Sequence, residues 1–211
     1  MDMYQIVAKH PLLAILRNVP LEKTIDYAKA AVNGGAPFFE VALNGSDALK
    51  QITMLRNHFG DQCLVGAGTA ITVERARAAL DAGAQFLLTP GTPLDVLEFC
   101  AVNDIALLPG VLTPVDVAVC LEYGYKTMKL FPAGSMPAHY VKDLKGPFDD
   151  TNYMAIGGVN SDNIRSFFDN GCIGVGLASS LMPKKALAEN DWDACTEYVH
   201  SLVSQIRGAE V

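Results

Sequence analysis

Charge is scarce in this chain. Asp, Glu, Lys and Arg make up 18% of its 211 residues, while half are apolar. That balance excludes a disordered polypeptide and predicts a compact fold with a sizeable core. Positive charge is the scarcer sign: 16 Lys and Arg against 23 Asp and Glu leave a net charge of −7. Neither a nucleic acid nor an anionic membrane is an expected partner. A small anionic ligand stays compatible, because backbone amides hold one without net charge. No apolar run is long enough to span a bilayer. The opening "MDMYQIVAKHPLLAIL" puts no basic leader before its short apolar run, so no secretory signal is expected and the chain reads as cytoplasmic. Cys-x-x-Cys pairs are missing too. The five cysteines, Cys63, Cys100, Cys120, Cys172 and Cys195, are odd in number and read as reduced core residues. No set of His, Asp and Glu has metal-ligand spacing, and His10, His58, His139 and His200 fall outside the strand ends, so no metal is expected.

What is present is alternation. Eight short apolar runs read as strands: "LLAIL" (12–16), "FFEVAL" (38–43), "CLVGAGT" (63–69), "QFLLTP" (85–90), "IALLPG" (105–110), "TMKLFP" (127–132), "YMAIGG" (153–158) and "IGVGLA" (173–178). Segments of helical period lie between them. One begins at Pro20 and stops at Gly34–Gly35; another begins at Thr72 and stops at Gly83; a third stops at Gly171. Their endings, "VNGGA", "LDAGA" and "FDNGC", echo one another without amounting to a repeat. Strands alternating with helices predict parallel βαβ units, and a count of eight favours a compact (β/α)8 TIM barrel over 1–211 as one domain. An open doubly wound sheet is the alternative. It calls for a Gly-rich turn after the first strand, which "AILRNVP" lacks. The first ten residues suit a short helix that plugs the bottom of the barrel.

Chemistry in such a barrel sits at the C-terminal strand ends. Alternation in strand two sets Phe38, Glu40, Ala42 and Asn44 on one face, with Phe39, Val41 and Leu43 on the helix-facing side. In strand six it sets Thr127, Lys129 and Phe131 inward, with Met128 and Leu130 outward. Lys126, at the strand's start, reaches solvent. Lys129 and Glu40 are therefore a lysine and a carboxylate inside an apolar barrel. One reading is a structural ion pair. The other is a Schiff-base lysine with a carboxylate acid/base. An amine attacks a carbonyl only when unprotonated, and a dry site disfavours the cation.

Gly157–Gly158 and "GLASS" (176–180) follow the last two strands, where barrel loops hold phosphate through backbone amides. Tight turns are the alternative role for the glycines, and a helix cap for Ser179. Arg17 either clamps a carboxylate or sits on the surface. Thr69 either bonds a carboxylate or caps the following helix. Pro90 and Phe131 are pocket wall or ordinary packing.

Eight motifs then fall into register with one family. "LLAILRNV", "FFEVALN", "LVGAGT", "LLTPG", "PGVLTPVD", "MKLFPA", "AIGGVN" and "GLASSL" resemble, in order, the 2-dehydro-3-deoxy-phosphogluconate and 2-dehydro-3-deoxy-6-phosphogalactonate aldolases, from Leu12 to about Leu181. The resemblance implies a cofactor-free class I aldolase, an aldehyde-lyase on a compact barrel, assembled as a homotrimer and acting on a phosphorylated 2-keto-3-deoxy sugar acid. It assigns the Schiff base to Lys129 and acid/base work to Glu40. Arg17, Thr69, Pro90 and Phe131 become substrate contacts, and Gly157, Gly158 and Ser179 the phosphate site. Asn44 marks the branch: "ALNG" resembles the "PLNS" of phosphogalactonate members, where phosphogluconate enzymes carry arginine in a "TLRT"-like stretch. Ala178 stands where the family usually has glycine. The expected substrate is the phosphogalactonate, within galactonate degradation. The phosphogluconate epimer, or both, is the nearer alternative. A phosphosugar epimerase or isomerase is the farther one, and it would need paired acids, or histidines with a metal, at the strand ends.

Overall fold

The structure is a computed structural model describing residues 1–137 and 139–208; the domain expected over 1–211 otherwise reaches positions outside the described residues. Nine parallel strands form one sheet: β1 Leu12–Leu16, β2 Phe38–Ala42, β3 Leu64–Gly68, β4 Leu87–Leu88, β5 Leu107–Leu108, β6 Gly110–Val111, β7 Thr127–Leu130, β8 Asn152–Ile156 and β9 Gly174–Leu177. Their order is β5-β4-β3-β2-β1-β9-β8-β7-β6, so the two ends of the sheet are neighbours in the chain. The expected fifth strand is thus split. Leu107 and Leu108 pair with β4, Gly110 and Val111 pair with β7, and Pro109, which has no N–H to donate, stands between them. Counted as one stave, the 107–111 segment closes an eight-stave barrel, as a (β/α)8 reading requires.

The helices are α1 Met3–Lys9, α2 Thr24–Asn33, α3 Ala48–Phe59, α4 Val73–Asp81, α5 Leu94–Val102, α6 Pro114–Glu122, α7 Tyr140–Lys145, α8 Ile164–Asp169, α9 Lys184–Glu189 and α10 Trp192–Arg207. Local chemistry sets their starts. Thr72 caps α4 by accepting from the Arg75 N–H. Thr113 and Asp116 form a capping box at α6, with Pro114 in its first turn. The three echoed endings share one geometry: Gly35, Gly83 and Gly171 have φ of +96°, +103° and +98°. A residue without a β-carbon takes the left-handed turn that ends each helix and feeds the next strand.

Strand alternation divides the core. Outward residues such as Leu12, Ala14, Phe39, Val41, Met128, Leu130, Tyr153 and Val175 pack beneath the helices. Inward ones, among them Leu13, Ile15, Phe38, Phe86, Leu88, Leu108, Met154 and Ile156, fill the barrel. Met3 and Val7 of α1 join the inner cluster, so α1 closes the bottom as expected. All five cysteines are buried and free. Burial pushes the Cys63 and Cys100 thiols up to about 11, so these are packing residues and not nucleophiles. No helix among the described residues is long and apolar enough to cross a membrane.

Candidate active site

Glu40 lies at the centre of β2, paired with Ile15 of β1 on one side and Gly66 of β3 on the other. It shares the parity of Phe38, which belongs to the inner cluster, so its side chain points into the barrel. It is 0% exposed, and neither carboxylate oxygen has a hydrogen-bond partner among the described residues. Room for the carboxylate exists because Gly68 lacks a side chain. A buried acid without partners is costly in a resting fold, so the site holds it for something other than stability.

Lys129 faces the same interior from β7. It is 3% exposed, with Nζ 5.0 Å from the centre of the Phe131 ring. Its backbone N–H donates to Pro109 O at 2.8 Å, and its strand pairs with Gly110 on one side and Met154 on the other. β2 and β7 lie four staves apart in either direction, which sets Lys129 and Glu40 on opposite walls. The ion pair that the sequence left open does not form. The four ion pairs among the described residues all involve other side chains, Lys126 with Asp150 being one of them. The two inward groups stay separate, on strands that face each other across the barrel.

Beside them opens a cavity of about 270 Å³, lined by Ile15, Arg17 and Phe131 and by the loops that follow β8 and β9. Gly157 and Gly158 hold φ of +88° and +78° there. Ser179 is exposed at its rim, and Ala178 and Ser180 line it. Arg17 is exposed and has no ion-pair partner among the described residues. A larger hollow of about 700 Å³ lies at the opposite end of the barrel against Met3, Lys126 and Asp150, away from both Lys129 and Glu40.

Asn44 is not buried in the barrel. β2 ends at Ala42, and a turn with Gly45 N–H donating to Ala42 O carries Asn44 out to the exposed surface. The alternation that aims side chains inward ends with the strand, at Ala42. Thr69 is half-buried with φ +63°, an unusual backbone for a β-branched residue and one that clusters at functional sites. Pro90 is half-buried just after β4; neither it nor Thr69 lines the 270 Å³ cavity. Phe131 does, and its ring also flanks Lys129.

Sequence reading missed Thr89. It is 0% exposed; its hydroxyl donates to Gly91 O at 2.6 Å and accepts from the Gly110 N–H at 3.1 Å. It thereby bridges β4 to the residue beside Lys129 at the point where Pro109 interrupts the ladder. A threonine at a strand end followed by proline was the visible signal. Its partners are backbone groups, which no side-chain pattern reveals. No cluster of three or more His, Cys, Asp or Glu among the described residues is placed to hold a metal ion.

A family model described as "Aldolase: KDPG and KHG aldolase" matches residues 3–198. Among curated relatives, the 2-dehydro-3-deoxy-6-phosphogalactonate aldolase of Escherichia coli is 31% identical over 82% of this chain and 85% of its own. The KHG/KDPG aldolase of the same organism is 30% identical over 94% and 93%. Among solved structures, a KDPG aldolase from Legionella pneumophila, with pyruvate captured as a covalent carbinolamine intermediate, superposes with a TM-score of 0.86 at 30% identity, covering 93% of this chain and 96% of that one.

Proposed function

The chain belongs to the KDPG and KHG aldolase family and is a lyase; from that premise we propose that it is a class I enzyme cleaving 2-dehydro-3-deoxy-6-phosphogalactonate to pyruvate and D-glyceraldehyde 3-phosphate. The observation that carries the reading is the pair of buried, unpaired inward groups. Lys129 and Glu40 reach the buried interior from opposite walls; among the described residues neither forms an ion pair, and the Glu40 oxygens have no hydrogen-bond partner.

Lys129 Nζ adds to the C2 ketone, and loss of water gives an iminium. A base takes the C4 hydroxyl proton, the C3–C4 bond breaks, and its electron pair moves into the iminium to form an enamine. The aldehyde leaves, C3 takes a proton, and water releases pyruvate. Glu40 carries the protons, as a positioned carboxylate can. The sink for the electron pair is the iminium itself, so the step calls for no metal or organic cofactor. The carbinolamine trapped in the Legionella enzyme supports a lysine adduct of this kind. Gly157, Gly158 and Ser179 hold the phosphate, Arg17 and Thr69 the carboxylate end, and Phe131 and Pro90 form walls.

The galacto preference rests on the phosphogalactonate relative and on asparagine at position 44. Exposed on the turn after β2, Asn44 reads best as a rim contact and not as part of the interior. A homotrimer fits the exposed apolar side chains Leu49, Ile71, Leu94 and Val115, which begin or precede successive helices on the mouth side. The protein works as one barrel domain in the cytoplasm. Parallel assays with the two epimeric substrates test the substrate assignment. A higher kcat/KM for the galactonate epimer is expected, and a higher value for the gluconate epimer overturns it. Light scattering of the purified protein tests the trimer.

A further inference from the structure

Three successive carbonyls in the loop after β8 are each taken by a different part of the chain. Gly157 O accepts from the Gly134 N–H at 2.7 Å. Gly158 O accepts from Asn163 Nδ2 at 2.9 Å. Val159 O accepts from the Ser180 hydroxyl at 2.6 Å. Asn163 also closes the far side, its Oδ1 accepting from the Asn160 N–H at 2.9 Å.

The consequence follows from peptide geometry. In a planar trans peptide the C=O and the next residue's N–H point in opposite directions. Fixing Gly157 O aims the Gly158 N–H, and fixing Gly158 O aims the Val159 N–H. The peptide after Val159 is tied at both ends, by Ser180 and by Asn163. Among the described residues the N–H groups of Gly158 and Val159 have no protein acceptor, and neither do those of Ala178, Ser179 and Ser180 across the cavity. The residues that carry both groups of amides line the same 270 Å³ space as Arg17. Successive amides turned to one side form a concave anion site. Ser180 adds a tie between its two halves.

We propose that Asn163 and Ser180 are positioning residues for the phosphate of the substrate. Their side chains bind backbone carbonyls and not the phosphate. They hold the carbonyls of the β8 loop away from the cavity, so that its amides are aimed before the ligand arrives. Without them, a peptide flip would turn a carbonyl oxygen toward an anion. This rests on the phosphate reading given above. It adds that preference for phosphorylated substrate depends on two side chains set behind the loop, one of them the serine next to Ser179.

The test runs in the addition direction, with pyruvate and either D-glyceraldehyde 3-phosphate or D-glyceraldehyde as acceptor. Asn163→Ala and Ser180→Ala are each expected to raise KM for the phosphorylated acceptor about tenfold, the effect of one well-directed donor to a charged group. Values for unphosphorylated glyceraldehyde should stay near those of the parent. Inhibition by inorganic phosphate should weaken in step. Ser180→Thr, which keeps the hydroxyl, should restore the parent KM. Borohydride trapping of pyruvate should proceed at the parent rate in every variant, which separates a loosened loop from a damaged fold. If both acceptors lose equally, or neither changes, the positioning role is overturned. If Asn163→Ala fails to fold, the Ser180 pair decides. If the parent enzyme does not prefer the phosphorylated acceptor, the phosphate reading itself is wrong and this inference falls with it.

Discussion

The carboxylate of Glu40 occupies the space where Gly68 would carry a side chain: a β-carbon there would overlap Oε1. The two residues sit on adjacent strands, and the glycine admits the acid. Gly68→Ala therefore has to displace the carboxylate. Misplacement by about 1 Å costs on the order of a hundredfold in rate. We expect turnover to fall at least that far while pyruvate still forms its lysine adduct. Steady-state kinetics beside borohydride trapping check this; a variant with near-parent turnover would show that Glu40 tolerates displacement.

Glu40→Gln separates proton transfer from charge. The amide has nearly the same shape but no labile acid in the useful pH range. Positioned acid/base groups contribute about 10²–10⁴-fold. The variant is expected to fold, to accept pyruvate and to cleave substrate at least about a hundredfold more slowly. Thermal melting and kinetics across pH are the measurements. Near-full turnover with only a moved optimum would assign proton transfer to another group.

Reduction with borohydride in the presence of pyruvate should modify Lys129 and leave Lys126 untouched. Lys126 is paired with Asp150 on the exposed side of the strand start. Peptide mapping by mass spectrometry locates the adduct. Modification at Lys126, or none, removes the proposed mechanism.

Thr89→Val deletes a hydroxyl that binds Gly91 O and the Gly110 N–H, leaving two backbone groups unpaired beside Lys129. An unsatisfied buried group costs about 1–3 kcal/mol, which in a chain of this size lowers Tm by about 2–4 °C per kcal/mol. Adduct formation should slow as well, and Thr89→Ser should recover both. Thr151→Val is the comparison, since Thr151 is also buried and its hydroxyl bonds, to Phe148 O and Tyr153 Oη, lie around the start of β8, at the other end of the barrel. It should lower Tm and leave the rate alone. Equal rate loss in both variants would make Thr89 merely structural.

Asp116 carries a pH dependence of stability. Burial pushes its carboxyl up, but hydrogen bonds from the Thr113 and Leu112 N–H groups and the Thr113 and Thr92 hydroxyls outweigh that and hold it below the usual 3.8. A folded pKa below the unfolded one stabilises the fold above the unfolded value, and that contribution disappears as pH falls through the folded value. Asp116→Asn, which removes the charge at the N3 position of the α6 capping box, should therefore melt lower than the parent at pH 7. The gap should narrow below pH 3.8. A gap unchanged at about pH 3 would mean that the charge is not its source.

The barrel and its two inward charged groups were legible because alternation is strict where both faces of a strand are buried. Phe39 and Val41 had to face helices, which left Glu40 facing in; Met128 and Leu130 did the same for Lys129. Legibility ended where strands ended. Asn44 was assigned by a parity that the chain abandons after Ala42. The split at Pro109 was visible as a proline, but not the fact that its two sides pair with different neighbours. Ser179 and Ser180 look alike in sequence, and only the turn after β9 decides which hydroxyl reaches Val159 O. Thr89 and Asn163 act on backbone groups, so their partners leave no trace in the pattern of side chains.

The helix across the bottom of the barrel covers one of its two ends. Met3 and Val7 seal the far end. Lys129 and Glu40 lie in the interior, while Gly158 and Ser179 stand exposed near the rim. A passage open at one end works as a queue. On the proposed mechanism the three-carbon half is tethered to the inner lysine and the phosphorylated half sits nearer the door. The aldehyde must leave before water can free the pyruvate behind it, and in the reverse direction the keto acid must enter first.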